Sequence, residues 1–325
     1  MVRFGCTLMT EQSGPRELVL QAAEAERAGF DFEVMSDHYF PWLEEQGHAP
    51  YAWSVLGAVT QATEQVELMT YVTAPIIRYH PAVVAQKAAT VGLLSGDRFV
   101  LGVGSGENLN EHVVGRGWPP VNVRHEMLTE ALHIIGALFD GGHVNYAGKH
   151  YRVDSAKLWD LPSRRVPVAT AVSGAQSVQR FAELSDAMIA VEPSSSLCEQ
   201  WDRAAASGAQ RKIGQLPIAW STDRDAAVRR ARQQFRWFAG GWKVNSELPG
   251  PASFAAATEF VRDEDIAASI PCGPDVEPIV ESAAAFWKAG FTDLAVVQID
   301  VDADRRGFFD FAERELLPAL REAAS

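Results

Sequence analysis

Three short stretches of the chain place reactive side chains directly behind runs of apolar residues. Ser36-Asp37-His38-Tyr39-Phe40-Pro41-Trp42 follows one run, Thr70-Tyr71-Val72-Thr73-Ala74-Pro75 ends a second, and Ser105-Gly106-Glu107-Asn108-Leu109-Asn110-Glu111 follows a third. Histidine titrates near neutrality and can take up or release a proton at working pH. His38 beside Asp37, with Trp42 four residues on and Glu107 expected nearby, supplies a base, an aromatic wall and an acid. Each residue also has a plainer reading. A lone histidine after a strand is more often structural, Glu107 suits the start of a helix, and Trp42 could simply fill space. Asn110 and Glu111 could cap the following segment, and His48, Tyr51 and Trp53 could pack a connecting loop. Spacing alone yields a candidate pocket for proton transfer.

The elements that must position these residues alternate along the chain. Apolar, β-branched runs predict strands over 2–7, 32–35, 66–72, 99–103, 166–172, 187–191, 216–220 and 294–299. Amphipathic stretches between them predict a helix opened by Pro15 and stopped by Gly29, then helices over 52–62 and 81–94, the latter closed by Gly96. Further helices are expected over 124–139, 176–184, 197–206, 225–237, 276–289 and 308–321. A small hairpin is expected around Asn145 to Tyr151, where alternation turns about Gly148. About eight strands, each followed by a helix, is the number at which a parallel sheet closes into a (β/α)8 TIM barrel, an α/β fold. An open doubly wound sheet would show the same alternation, but its glycine fingerprint belongs at the first strand, where this chain reads Leu8-Met9-Thr10-Glu11-Gln12. Gly102, Gly104 and Gly106, at the fourth strand, are spaced two by two and make neither that fingerprint nor a P-loop. We therefore expect residues 1–325 to form one barrel domain with insertions at about 140–165 and 240–273. In a barrel, chemistry sits at the C-terminal ends of the strands, which is where the three loops fall.

Composition narrows the partners. The 325 residues carry 42 acidic and 29 basic side chains, a formal net charge of −13. The basic residues are scattered without a stripe, which argues against nucleic acid. Cys6, Cys198 and Cys272 are odd in number and far apart, forming neither a disulfide framework nor a metal-ligand spacing, so no metal is expected. Glu11 interrupts the N-terminal segment before a signal peptide or spanning helix could form, so a cytoplasmic protein that does not engage a membrane is expected.

Taken together, the 36–42 stretch, His48-Ala49-Pro50, Arg78-Tyr79-His80-Pro81-Ala82 and Leu101-Gly102-Val103-Gly104-Ser105-Gly106-Glu107-Asn108-Leu109-Asn110-Glu111 resemble the luciferase-like oxidoreductases that use coenzyme F420, in particular the glucose-6-phosphate dehydrogenase branch. The similarity runs in order to about residue 190 and continues weakly to the end. It implies a TIM barrel that holds the 8-hydroxy-5-deazaflavin at the strand ends and transfers a hydride between it and a small substrate. By motif, the resemblance makes His38 the base that takes the substrate proton, Glu107 the acid serving the deazaflavin, and Trp42 the wall beside the charged ring. It makes Asp37 and Asn110 contacts of the cofactor or of the catalytic pair, and puts Ser105 near the ring. It matches Tyr71 and Val72 to a non-prolyl cis peptide against the ring, and Ser173 and Gly174 to the loop that holds the cofactor phosphate. Relatives are often dimers, which carries over as a homodimer by analogy alone.

The departures concern the substrate. Where sugar-phosphate members carry basic residues, this chain reads Asp265-Ile266-Ala267-Ala268-Ser269-Ile270-Pro271 and Glu192-Pro193-Ser194-Ser195-Ser196, and only Lys243, Arg262 and Lys288 are basic from Lys243 to Ile299. A non-phosphorylated alcohol, carbonyl or activated alkene is therefore expected, with glucose 6-phosphate a poor substrate. Trp220, Phe235, Trp237, Phe238, Trp242 and Phe254 hint at an apolar pocket, although core packing accounts for most such residues. The alternatives are an FMN-dependent monooxygenase of the same superfamily and a non-catalytic deazaflavin-binding protein.

Overall fold

The computed structural model describes residues 2–206 and 211–325. Its strands are β1 Arg3–Leu8, β2 Phe32–Met35, β3 Glu67–Thr70, β4 Phe99–Val103, β5 Val144–Ala147, β6 Arg152–Ala156, β7 Val168–Ala171, β8 Ala187–Ile189, β9 Arg211–Trp220, β10 Cys272–Gly273 and β11 Asp293–Gln298. Nine of them pair in parallel: β10 adds to β9 alone, and β1, β2, β3, β4, β7, β8, β9 and β11 form the barrel, whose β8–β9, β9–β11 and β11–β1 contacts close the sheet on itself. The chain thus forms the closed eight-stranded barrel expected from the sequence.

Alternation along the strands explains the closure. Phe32, Val34, Met69, Val100, Ala169, Ile189, Ile213 and Ala295 fill the barrel interior. Phe4, Cys6, Leu8, Leu68 and Leu101 belong to the outer core shared with helix residues such as Leu18, Ala22 and Ala25. The Phe32 ring fits because its neighbour across the β1–β2 pair is Gly5, where a Cβ would sit 2.4 Å from Phe32 Cε2.

The helices are α1 Pro15–Ala28, α2 Ala52–Ala62, α3 Pro81–Leu94, α4 Asn108–Glu111, α5 Val121–Phe139, α6 Ala175–Phe181, α7 Ser195–Ala204, α8 Arg224–Phe235, α9 Trp242–Asn245, α10 Pro251–Ala257, α11 Asp263–Ser269, α12 Glu277–Ala289, α13 Arg305–Phe311 and α14 Leu317–Ala323. Prolines open α1 and α3, and α1 stops at Gly29, whose φ of 96° is a left-handed cap that costs glycine nothing. The hairpin β5–β6 is antiparallel, with its second strand starting beyond Tyr151. Its turn is tied to α5 by the Glu130 carboxylate, which accepts from the Lys149, His150 and Tyr151 N–H groups.

The largest difference from the sequence expectation lies between β9 and β11. The segment 225–237 reads like another barrel helix. In the structure α8 instead packs with Met9, Ala219, Ile299, Ile266 and Ile270, residues at or just beyond the C-terminal ends of β1, β9 and β11 or on α11. The helix that returns along the barrel wall is α12, whose Phe286 ring packs against Gly214 of β9. The expected insertion at 240–273 therefore forms α9 to α11 and joins α8 in a cap over the strand ends, a cap that starts earlier than the composition suggested. The expected last helix, 308–321, is interrupted by a π-turn at Ala312–Leu316 just before Pro318. No helix among the described residues is long and apolar enough to cross a membrane.

Candidate active site

The loops after β1, β2, β3 and β4 meet beneath the cap. His38 stands at their centre and is almost fully buried. Its Nδ1 lies 3.2 Å from the Phe40 carbonyl oxygen and 3.4 Å from Glu11 Oε1, while Nε2 faces Glu107 Oε1 at 3.8 Å. Both neighbours of Nδ1 are acceptors and lie closer than the one facing Nε2, an arrangement that favours the neutral tautomer with its proton on Nδ1. Glu11 is itself held, by the Ser36 hydroxyl at 2.5 Å and the Thr10 hydroxyl at 3.3 Å. Sequence reasoning passed over Glu11, although it stands just beyond the first strand as His38 and Glu107 stand beyond theirs.

Asp37 is a structural hub. Its Oδ2 accepts from Trp53 Nε1 at 3.1 Å and the Thr73 hydroxyl at 2.7 Å. Its Oδ1 accepts from Arg78 at 3.1 Å and the Tyr79 hydroxyl at 3.2 Å. Trp53, expected as loop packing, is therefore also a donor to the site. Lys87 of α3 lies over the Tyr79 ring, 3.4 Å from its centre, and burial pushes its pKa down to about 8.

Trp42 forms the wall beside His38, their ring centres 4.9 Å apart. It stacks on Trp237 at 4.2 Å with an interplanar angle of 10° and meets Phe254 edge-on at 5.1 Å. With Leu43, Leu109, Leu248 and Phe40, these rings make an apolar patch between the barrel mouth and the cap. Of the aromatics singled out in the sequence, Trp237 and Phe254 reach this wall. Trp220 packs instead against Phe308 and Phe311.

The sequence profile described as luciferase-like monooxygenase matches residues 1–293. The chain belongs to the luciferase-like family. It is 33% identical over 336 residues to a protein of Beutenbergia cavernae named F420-dependent glucose-6-phosphate dehydrogenase, covering 99% of this chain and 98% of that one. A protein of the same name from Nakamurella multipartita is 32% identical, with 98% and 97% covered. Among solved structures, one described as an F420-dependent secondary alcohol dehydrogenase in complex with an F420-acetone adduct matches with a TM-score of 0.88 at 25% identity, covering 98% of this chain and 99% of the other. The coenzyme F420-dependent tetrahydromethanopterin reductase from Methanopyrus kandleri shares the fold, with a TM-score of 0.78 at 19% identity over 98% and 99% of the two chains.

In this luciferase-like chain the remaining candidate residues fall on the same end of the barrel. The Tyr71–Val72 peptide is cis. Val72 abuts Gly104, where a Cβ would lie 2.7 Å from Val72 Cγ2, so the β3 and β4 loops approach each other only because residue 104 lacks a side chain. Burial raises the pKa of the Tyr71 hydroxyl, which keeps it protonated. Asn110 Oδ1 accepts from the Tyr39 and Phe40 N–H groups, at 2.8 and 3.3 Å, which leaves its buried Nδ2 aimed away without a partner among the described residues. Ser105 is half-buried in the β4 loop. Ser173 and Gly174 lie farther round, between β7 and α6, where both backbone N–H groups point at the Ser177 hydroxyl oxygen at 3.2 Å. Among the described residues no group of His, Cys, Asp and Glu is placed to hold a metal ion.

Proposed function

We propose that this chain is a coenzyme F420-dependent oxidoreductase that moves a hydride between the deazaflavin and a small, uncharged alcohol or carbonyl compound, or an activated alkene. The observation that carries this reading is His38, held at Nδ1 by Glu11 and Phe40, facing Glu107 with Nε2 and walled by Trp42. The site has the groups needed to hold the coenzyme. Asn110 offers a fixed, unspent amide donor, and the convergence of the Ser173 and Gly174 N–H groups on one oxygen is an arrangement that a phosphate oxygen also satisfies. Ser105 and the Tyr71–Val72 peptide would flank the ring, and Asp37 would act by fixing the loop that carries His38.

When bound, the deazaflavin supplies a two-electron hydride acceptor or donor. In alcohol oxidation His38 Nε2 takes the hydroxyl proton as the C–H hydride departs, and the Glu11 carboxylate stabilises the resulting imidazolium. Glu107 would hold the proton that a bound coenzyme gains or loses. Trp42, Trp237 and Phe254 exclude water and orient an apolar substrate.

Purified protein titrated with oxidised F420 and, separately, with FMN, followed by absorbance and fluorescence, tests the cofactor. Tight binding of the deazaflavin alone is expected. Preferential binding of FMN would replace this reading with the monooxygenase one. Reduction of F420 by at least one member of a panel of secondary alcohols separates an enzyme from a carrier that binds and reduces nothing.

A further inference from the structure

A second line of buried charge runs behind His38, and the reaction as written does not use it. Arg78 donates through NH2 to the backbone oxygen of Asp37 at 2.7 Å and to Asp37 Oδ1 at 3.1 Å. Its Nε faces Glu111 Oε1 at 3.5 Å, and these two buried atoms have no hydrogen-bond partner among the described residues. The other oxygen of Glu111 accepts from the Ile77 and Arg78 N–H groups at 3.2 and 2.8 Å. Glu111 is thus fixed to the β3 loop while it belongs to α4, and Gly106, where a Cβ would lie 3.1 Å from Glu111 Cγ, lets the β4 loop close over it.

We propose that Glu111 is a positioning residue, whose charge holds Arg78 on Asp37 and so fixes the backbone that carries His38. The relay runs from α4 through the β3 loop to the β2 loop, and its last link precedes the catalytic histidine in sequence. An arginine fork needs an anion on each side to stay in place. Asp37 supplies one. With Glu111 protonated, Arg78 keeps Asp37 as its counter-charge but its Nε faces a neutral carboxyl, and the side chain is then held from one side only.

The ionisable groups around this pair are few. Arg78 faces Glu111 from the β3 loop and Asp37 lies beyond it. Glu107 precedes α4 at its N-cap, the Tyr79 ring lies against Arg78, and the Tyr151 hydroxyl approaches from the hairpin. Lys87 faces Asp37 from α3. Burial pushes Glu111 up to about 7, against the pull of Arg78 and the backbone N–H groups. The relay is therefore intact above neutrality and is released as pH falls through about 7.

The functional part of the test rests on the proposed activity, and a second readout does not. Glu111→Gln keeps an oxygen for the Ile77 and Arg78 N–H groups and removes the charge. In the wild type, kcat/KM for the best alcohol should fall as pH is lowered through 7. In E111Q the limb should move to the midpoint set by the base His38 alone, with kcat at pH 8 reduced at least tenfold and F420 affinity within twofold. The independent readout is the indole N–H resonance of Trp53, which donates to Asp37, in 15N-labelled protein without coenzyme and assigned with Trp53→Phe. It should show a step near pH 7 in the wild type and lose it in E111Q, while Lys87→Met identifies any step near pH 8 that belongs to Lys87. A Trp53 step that persists at the same midpoint in E111Q overturns the proposal. Loss of the step in a protein that binds no deazaflavin would leave the relay standing and remove the functional reading. Should E111Q not fold, Arg78→Lys serves instead, since an ammonium cannot bridge both partners. An unchanged step in that variant also overturns the proposal.

Discussion

In the proposed reaction a base is only as good as the group that receives its charge, and at the residue scale that group is Glu11, whose Oε1 lies 3.4 Å from His38 Nδ1. His38→Ala should lower kcat by about 10²- to 10⁴-fold, the usual worth of general base catalysis, while the coenzyme still binds. Glu11→Gln keeps the shape and removes the anion, and a loss of about 10-fold to 100-fold is expected from an interaction of about 1.5–3 kcal/mol with a charged group. Steady-state rates combined with F420 titration check both, and wild-type turnover in H38A would remove His38 from the base role. The sequence made His38, Trp42 and Glu107 legible because each lies in a compact motif in the loop that follows a strand. The contact of Glu11 with His38 and those of Arg78 with Asp37 and Glu111 were not legible, since the partners stand on different elements that only the closed barrel brings together.

Elements were legible where their punctuation is local. The strands over 32–35 and 99–103 and the helices over 52–62 and 81–94 coincide with β2, β4, α2 and α3, because proline, glycine and alternation act within a few residues. β9 begins at Arg211, five residues before the expected start, since its polar first half hides the strand signal. Arg211 is placed there by Glu67 and Asp293 on other strands, at 2.6 and 2.8 Å. Helix α8 was found but misplaced, because an amphipathic face does not say which surface it will cover. Glu33 on β2 carries an element-scale prediction. It sits on the outer face of the strand opposite Cys6, with both carboxylate oxygens buried and without a partner among the described residues. Burial raises its pKa well above the usual carboxylate range. A raised carboxyl pKa means that the folded state keeps its proton longer than the unfolded one. Stability is therefore greatest below the unfolded value of about 4.3 and declines as pH rises toward the folded value. Glu33→Gln removes this dependence, so its stabilising effect should be larger at pH 8 than at pH 5. Thermal unfolding at the two pH values checks the sign, and an equal or larger gain at pH 5 would contradict it.

At the scale of the whole molecule, the question is what the cap admits to the barrel mouth. A phosphate ester needs basic side chains free to clamp it, in a chain whose net charge of −13 already repels anions. The cations of the cap are largely committed or turned away. Arg236 is paired with Glu45 at 2.8 Å, Arg262 with Asp265 at 3.0 Å, and Lys243 is exposed. Arg229, Arg232 and Arg236 line a groove of about 570 Å³ on the cap, but they share it with Glu45, Glu259 and Asp263. Ile266 and Ile270 are buried against Met9 and Ile299 and offer no charge to the site. The groups nearest His38 are carboxylates and aromatic rings. Each charge-assisted hydrogen bond that a phosphate fails to make forfeits about 1.5–3 kcal/mol, so two missing bonds correspond to roughly 10²- to 10⁴-fold in kcat/KM. Glucose 6-phosphate should therefore be used at least 100-fold less efficiently than the best neutral secondary alcohol. Ionic strength adds a sign to this expectation. Added salt screens repulsion as well as attraction, so the KM for a repelled phosphate should fall as salt rises from 10 to 200 mM, whereas a phosphate held by arginines would show a rising KM. Initial rates with both substrates across that range decide it, and saturation by glucose 6-phosphate at low concentration with a KM that climbs with salt would place a basic clamp in this site after all.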